Sequence, residues 1–283
     1  MSVDTIQRIG NSVLQHGRHS ARVYLMKLDV NDCPVVLRTI SQLVGENGYT
    51  KVFAKVPQSV QEMFADSGYE TEASIPRFFY GTEDALFMAK YLHLERRERS
   101  NERLIGEALD IAQQKAGEGA TAGTDSDAEA AYSVSKLAPH HAPALANIYR
   151  LVFATYPFPI HEPEYITQTM SENVRYFGVH DEGVLVAVSS AELDLEAQNA
   201  EMTDFATMPE YRGQGLATLL LGKMEEEVIP EGIKTAYTIA RARSVGMNAT
   251  FAKRGYSFAG TLWNNTNISG SIESMNVWYK HLD

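Results

Sequence analysis

The chain is poor in cysteine, in basic side chains and in long apolar runs. Its one cysteine, Cys33, leaves no partner for an internal disulfide and fits a reducing compartment. That residue reads as a buried small hydrophobe, not as a nucleophile. Lysine and arginine total 25 against 36 acidic residues, a formal net charge of −11. Such a balance argues against nucleic acid or an anionic membrane as partner and favours a cationic substrate. No uninterrupted apolar run is long enough to span a bilayer and no signal peptide is read, so a cytoplasmic enzyme is expected. With 283 residues, 44% of them hydrophobic, there is core enough for two domains.

What is present is concentrated in Thr207-Met208-Pro209-Glu210-Tyr211-Arg212-Gly213-Gln214-Gly215-Leu216-Ala217. It follows a run that reads as a strand (200–207) and opens one that reads as a helix (216–228). Gly213 and Gly215 allow a tight turn and close approach of a ligand. The helix start then offers unpaired N–H groups and a positive dipole end to an anion, and Arg212 adds a charge. No lysine closes the turn as a P-loop requires. The third glycine and downstream acid of a dinucleotide-binding fingerprint are also missing.

The stretch resembles motif A of the GCN5-related N-acetyltransferases (GNAT): Arg or Gln, two residues, Gly, one residue, Gly or Ala, filled here by Arg212, Gly215 and Ala217. The resemblance implies acetyl-CoA as co-substrate, with no metal. The backbone amides of Arg212, Gly213, Gln214, Gly215, Leu216 and Ala217 would hold its pyrophosphate. Phe205 and Thr207 resemble the residues whose main chain pairs with the pantetheine arm, as an added strand would. Ser244 falls where the family often has an asparagine bound to that arm. Asn248 is a second polar residue on the same helix.

The remaining order of elements suits that fold, a mixed α/β sheet with helices packed on it. Strands are expected over 132–137, 175–180, 184–194, 201–207, 234–241, 256–263 and 275–281. Helices are expected over 143–155, 163–172 and 245–253. Upstream, the charged stretch 95–115 reads as a helix with a solvated face, and the glycine-rich 116–127 as a mobile linker. The organisation is therefore 1–95, a linker region 96–131, and a catalytic domain over 132–283.

Acetyl transfer needs a base for the amine and an exit for the thiolate. Glu201 sits where several acetyltransferases of the superfamily carry a glutamate base, and a carboxylate on a strand lining the cleft can take the ammonium proton. Asp204, expected on the strand's other face, is a second acid suited to binding a cation. Many family members place a tyrosine four residues before a Gly-Phe or Gly-Tyr pair. Here Phe251 precedes Gly255-Tyr256, and phenylalanine cannot donate a proton. Water or unassisted departure remains, as does Tyr237, for which packing is the plainer role. Tyr156-Pro157-Phe158-Pro159-Ile160 borders the acceptor cleft in the superfamily, so Tyr156 and Phe158 are candidate walls for a small amine; a stiff loop closing the core is the alternative.

Phe64-Ala65-Asp66-Ser67-Gly68-Tyr69 echoes Phe251-Ala252-Lys253-Arg254-Gly255-Tyr256. The first hundred residues thus read as a degenerate GNAT-like half without a glycine cradle, covering or completing the active site. Its segment 74–80 is placed to face the acceptor cleft, with Arg77 offering a fork for a carboxylate. The whole chain is similar to the β-lysine N-acetyltransferases. The likeness runs through His16-Gly17, Arg22-Val23-Tyr24-Leu25-Met26-Lys27-Leu28, Tyr156-Pro157-Phe158-Pro159, Ala200-Glu201-Met202-Thr203-Asp204-Phe205-Ala206-Thr207 and Tyr211-Arg212-Gly213. It implies transfer of acetyl from acetyl-CoA to the ε-amino group of β-lysine, in lysine metabolism or to make an osmolyte. From the residues alone, another small amine or a CoA-binding protein without catalysis stays open. A homodimer is compatible with the sequence.

Overall fold

Strand-forming runs punctuated by glycine turns build a single mixed sheet in the computed structural model, which describes residues 4–99, 101–119, 131–268 and 270–282. The first part runs β1 (Thr5–Ile9), β2 (Ser12–Gly17), β3 (Arg22–Lys27), α1 (Cys33–Asn47), β4 (Lys51–Pro57), α2 (Gln61–Asp66), β5 (Glu70–Phe79) and β6 (Glu83–Tyr91). Helices α3 (Leu94–Arg97) and α4 (Glu102–Gly119) follow. Then come β7 (Ser133–Lys136), α5 (Ala142–Val152), α6 (Pro163–Ser171), β8 (Val174–Asp181), β9 (Val184–Asp194), β10 (Asn199–Thr207) and α7 (Leu216–Val228). The chain closes with β11 (Thr235–Arg241), α8 (Val245–Lys253), β12 (Ser257–Ile268) and β13 (Ser271–His281). The sheet order is β1-β2-β3-β4-β6-β5-β12-β13-β11-β10-β9-β8-β7. Among the described residues no helix is long and apolar enough to cross a membrane.

The order reads as two similar halves joined edge to edge. In each, a parallel pair (β3 with β4, β10 with β11) is linked through a helix, and the second strand pairs antiparallel with the last strand of its half. Register makes the match residue by residue. Val23 faces Val52, which faces Lys90; Ala200 faces Ala236, which faces Lys280. The echoed hexapeptides end α2 and α8 alike. Tyr69 N donates to Phe64 O and Tyr256 N to Phe251 O, both at 3.1 Å. Each pair of rings stands edge to face at 5.1 Å. Both phenylalanines are fully buried and peg their helix onto the sheet.

The seam lies between β5 and β12, where Gly260 pairs with Ala73. A Cβ on Gly260 would stand 2.2 Å from Glu72 O, so only glycine lets the halves approach this closely. Beside it Lys51 Nζ pairs with Glu72 at 2.8 Å and donates to Trp263 O at 2.6 Å, while Trp263 N returns a bond to Glu72. Burial depresses the Lys51 ammonium to about 8. Removing either partner of such a pair costs about 3–5 kcal/mol, because the other charge stays buried.

The charged stretch after β6 departs from its expected solvated face. Arg96 is buried and donates to Asn264 O, Ser20 O and Asn265 O, riveting the chain across the seam. A guanidinium has enough donors to satisfy several carbonyls at once, which makes its burial tolerable. The helix also breaks in two, and α4 runs on through Gly117 to Gly119 instead of stopping at 115. Its apolar residues Ile105, Ala108 and Ala112 are buried, and it packs on α8. Much of the expected linker, 120–130, lies outside the described residues.

Candidate active site

The turn from β10 into α7 has the form expected of an anion cradle. Gly213 and Gly215 take φ of 83° and 79°, left-handed conformations that favour glycine. A Cβ built on either meets nothing within 4 Å, so the space in front of the turn is open. No side chain caps α7 and no acid lies in its first turn, leaving the leading amides and the dipole uncompensated. The helix is held by Leu216, Leu220, Leu221, Met224 and Val228, all buried against the sheet. Arg212 stays exposed, its Nε donating to Thr207 O at 3.3 Å, and Gln214 accepts from Tyr132.

The sheet opens beside this cradle. The ladder between β10 and β11 ends at the pair Glu201–Tyr237, although β10 continues to Thr207 and β11 to Arg241. Phe205 and Thr207 lie beyond that pair, where β10 keeps its contact with β9 but its edge towards β11 is open. A cavity of about 1170 Å³ occupies the opening and reaches from the cradle to the N-terminal half. Arg212, Gly213, Gln214, Gly215, Leu216, Ala217, Phe205, Thr207 and Ser244 all line it. Ser244 caps α8 through Met247 N. Asn248 does not reach the cavity: it is buried, donating to Arg241 O and Ser244 O and accepting from Asn276 and Trp278.

Three carboxyl groups converge in the middle. Glu201 lines the cavity, and its Oε2 accepts from Tyr237 OH at 3.0 Å, while that hydroxyl accepts from Lys55 Nζ at 2.8 Å. Burial pushes the Glu201 carboxyl above its usual range, and the Lys55 charge and the tyrosine bond pull it back. Directly opposite on β9 stands Glu192. Burial first, then the facing Glu201 and Asp204, push it up to about 8. Asp204 was expected on the far face of β10 and instead lines the same cavity. The ladder slips between Thr203 and Ala206, and Asp204 adopts φ 55°; this bulge turns its side chain inward. There it accepts from Ser190 Oγ at 2.6 Å and from Tyr156 OH.

The far wall is shared. Tyr156, Pro157 and Phe158 come from the loop after α5, and Gln15 of β2 donates to Pro157 O at 3.3 Å. Arg22, Tyr24, Met26 and Phe53 come from the N-terminal half, Asn265, Thr266 and Ile268 from the long β12. Arg77 is not among them. It is exposed at a slip in β5, its N donating to Asp84 and its O accepting from Thr235, at the start of β11 and away from the opening. Phe251 borders the cavity, stacked edge to face on Phe205, and presents no hydroxyl there.

Sequence reasoning missed Glu192 and Arg22. The first had a signal: a tight antiparallel turn between 194 and 199 puts 192 opposite 201. Nothing local marks the second.

The profile of the Acetyltransferase (GNAT) family matches residues 145–256. The chain is 38% identical over 278 residues to the β-lysine N(6)-acetyltransferase of Methanococcus maripaludis, covering 98% of this chain and 99% of that one. It is 30% identical to the N-acetyltransferase YodP of Bacillus subtilis, covering 96% of each. Among solved structures, the ribosomal-protein-S18-alanine N-acetyltransferase of Escherichia coli covers 54% of this chain with 94% of its own, at 20% identity and TM-score 0.47.

Proposed function

The chain belongs to the GNAT N-acetyltransferases and, within them, to the β-lysine N(6)-acetyltransferase family; from that premise we propose that it acetylates the ε-amino group of β-lysine by direct attack of the amine. One observation carries the reading: a half-buried pair of facing carboxyls, Glu201 and Glu192, lies in the cavity that begins at the open cradle. In this reading residues 132–283 carry catalysis, 1–95 complete the acceptor side, and 96–131 join them. A substrate with two ammonium groups suits a cavity with three acids.

Acetyl-CoA supplies the acetyl thioester when bound. The amides from Arg212 to Ala217 hold its phosphates, and Arg212 adds charge; the open space in front of Gly213 and Gly215 fits that use. Glu201 takes the proton of the attacking amine. Two facing carboxyls out of bulk water resist carrying two charges, and the Tyr237 hydroxyl and the Lys55 charge favour the ionised form at Glu201, which makes it the base of the pair. Tyr237, itself held by Lys55, fixes the Glu201 carboxylate. Asp204, held by Ser190 and Tyr156, gives the cation a fixed negative partner. At Phe251 no proton is offered, and the thiolate leaves unassisted or takes a proton from water. A free thiol pKa near 8.5 makes that departure tolerable.

Free-thiol release from acetyl-CoA, measured with β-lysine, lysine, 1,4-diaminopentane and spermidine, tests the reading. β-Lysine is expected to give the highest kcat/KM; a higher value for another amine overturns the substrate. Glu201→Gln keeps the shape of the site without its basicity, so kcat should fall by roughly 10²–10⁴-fold while acetyl-CoA binding is retained. A near-normal kcat would move the base elsewhere.

A further inference from the structure

We propose that Arg22, the first residue of β3, binds the carboxylate of the amino-acid substrate, so that the half without a cradle selects amino acids against carboxylate-free amines. The inference rests on acetyl transfer to an amino-acid amine as argued above.

Arg22 is 4% exposed, yet it lines the cavity. Its Nη1 is spent on Asn265 O at 2.9 Å and Thr266 Oγ1 at 2.8 Å. Its Nε is buried and makes no hydrogen bond among the described residues. The guanidinium lies over the rings of Tyr24 and Phe53, 5.1 and 5.8 Å from their centroids. Two aromatic faces stabilise a cation without neutralising it. No carboxylate of the described residues forms an ion pair with Arg22. Burial lowers its pKa, but only to about 10, so it remains charged at neutral pH.

A buried cation with no ion-pair partner is costly even with Asp4 and Glu201 near enough to favour its charge, and the unspent edge of a guanidinium matches the shape of a carboxylate. The acids of the cavity supply the other sign. Glu192 and Glu201 belong to β9 and β10, Arg22 to β3, and all three line the one space. A molecule carrying ammonium groups and a carboxylate meets both signs there; a diamine meets only one. Arg96 is the informative contrast. It is equally buried, but all three of its nitrogens donate to carbonyls or a hydroxyl at the seam, and it does not line the cavity. A purely structural arginine is satisfied in that way, whereas Arg22 is not.

The test compares matched acceptors, β-lysine with 1,4-diaminopentane and lysine with 1,5-diaminopentane, each pair differing by the carboxylate. Turnover and calorimetric binding to the CoA-loaded enzyme are both read. Arg22→Gln retains hydrogen bonding towards Asn265 and Thr266 without the charge. It should raise the KM and Kd of both amino acids by about 10–100-fold, leaving those of the diamines unchanged or lower. Arg22→Lys should recover part of the loss. A second arm needs no variant: the wild-type enzyme should bind β-lysine more tightly than its carboxamide by a similar factor. Equal losses for amino acids and diamines, or equal affinity for acid and amide, overturn the proposal. If lysine outperforms β-lysine in the wild type, the substrate assignment fails, and the acid–diamine comparison still reads Arg22.

Discussion

The two halves share a register and differ in what fills the turn before the crossover helix. In the C-terminal half Gly213 and Gly215 leave that turn open, and α7 begins with bare amides. In the N-terminal half Asp29 and Asp32 stand at the corresponding place before α1. Asp32 accepts from Asn11 N, Ser12 N and Ser12 Oγ, and Asp29 from Asn31 N and the Asn11 amide. These two carboxylates tie the β1–β2 turn to the head of α1 and put negative charge there, where the other half offers bare amides. Strand, turn and helix in the right order do not make an anion site; the vacancy and the sign of charge decide it. The second contrast concerns the strands. β3 and β4 stay paired through Leu25–Ala54, one step past the position equivalent to Glu201–Tyr237, where the other half splays. By the same register Tyr24 and Gln15 stand where the C-terminal half has Glu201 and Glu192. One half carries the cradle and the acids, and the other contributes an aromatic wall and a cation.

The largest effect should come from closing the open cradle. Gly215→Val places a branched side chain in the open space before the turn, proposed above to hold phosphate, at a left-handed φ, and acetyl-CoA binding measured by calorimetry should be lost. Retained affinity with a folded protein would remove the cradle from the site.

A smaller effect is expected from opening the closed one. Asp32→Ala deprives three donors of their acceptor and should lower stability by about 1–3 kcal/mol in urea unfolding. The KM for acetyl-CoA should not move, and no second CoA should bind, since Asp29 remains. A second bound equivalent would mean that one side chain is all that separates the halves.

The smallest effect is on the pH dependence of stability. Glu192, raised from 4.5 to about 8, binds its proton more tightly folded than unfolded. Stability should therefore decline as pH rises from about 4.5 to about 8 and level off above, where both states are ionised. Glu192→Gln, which gives this position the residue type of Gln15 in the other half, should flatten that decline in Tm measured across the same window. An unchanged slope would mean that the facing pair is not the source of it.

Where the deciding residues are neighbours in sequence, the sequence determined the answer. The cradle is eleven contiguous residues whose glycines, arginine and flanking periodicities fix a strand, a turn and an exposed helix start. The echoed hexapeptides fix two identical helix endings, because a left-handed glycine and a buried phenylalanine act within six positions. Strands and helices of the C-terminal part lie close to their expected places for the same reason, although β12 and β13 run on to Ile268 and back from Ser271. Only the tertiary structure decided which charged groups meet. Asp204 faces inward because of a bulge, Glu192 joins Glu201 across a hairpin, Arg96 is buried at a seam between strands from opposite ends of the chain, and Arg22 lines the cavity where Arg77 does not. Those outcomes depend on register and on packing between segments far apart in sequence. A change of one residue in register reverses which face a side chain occupies, and no local spacing encodes it.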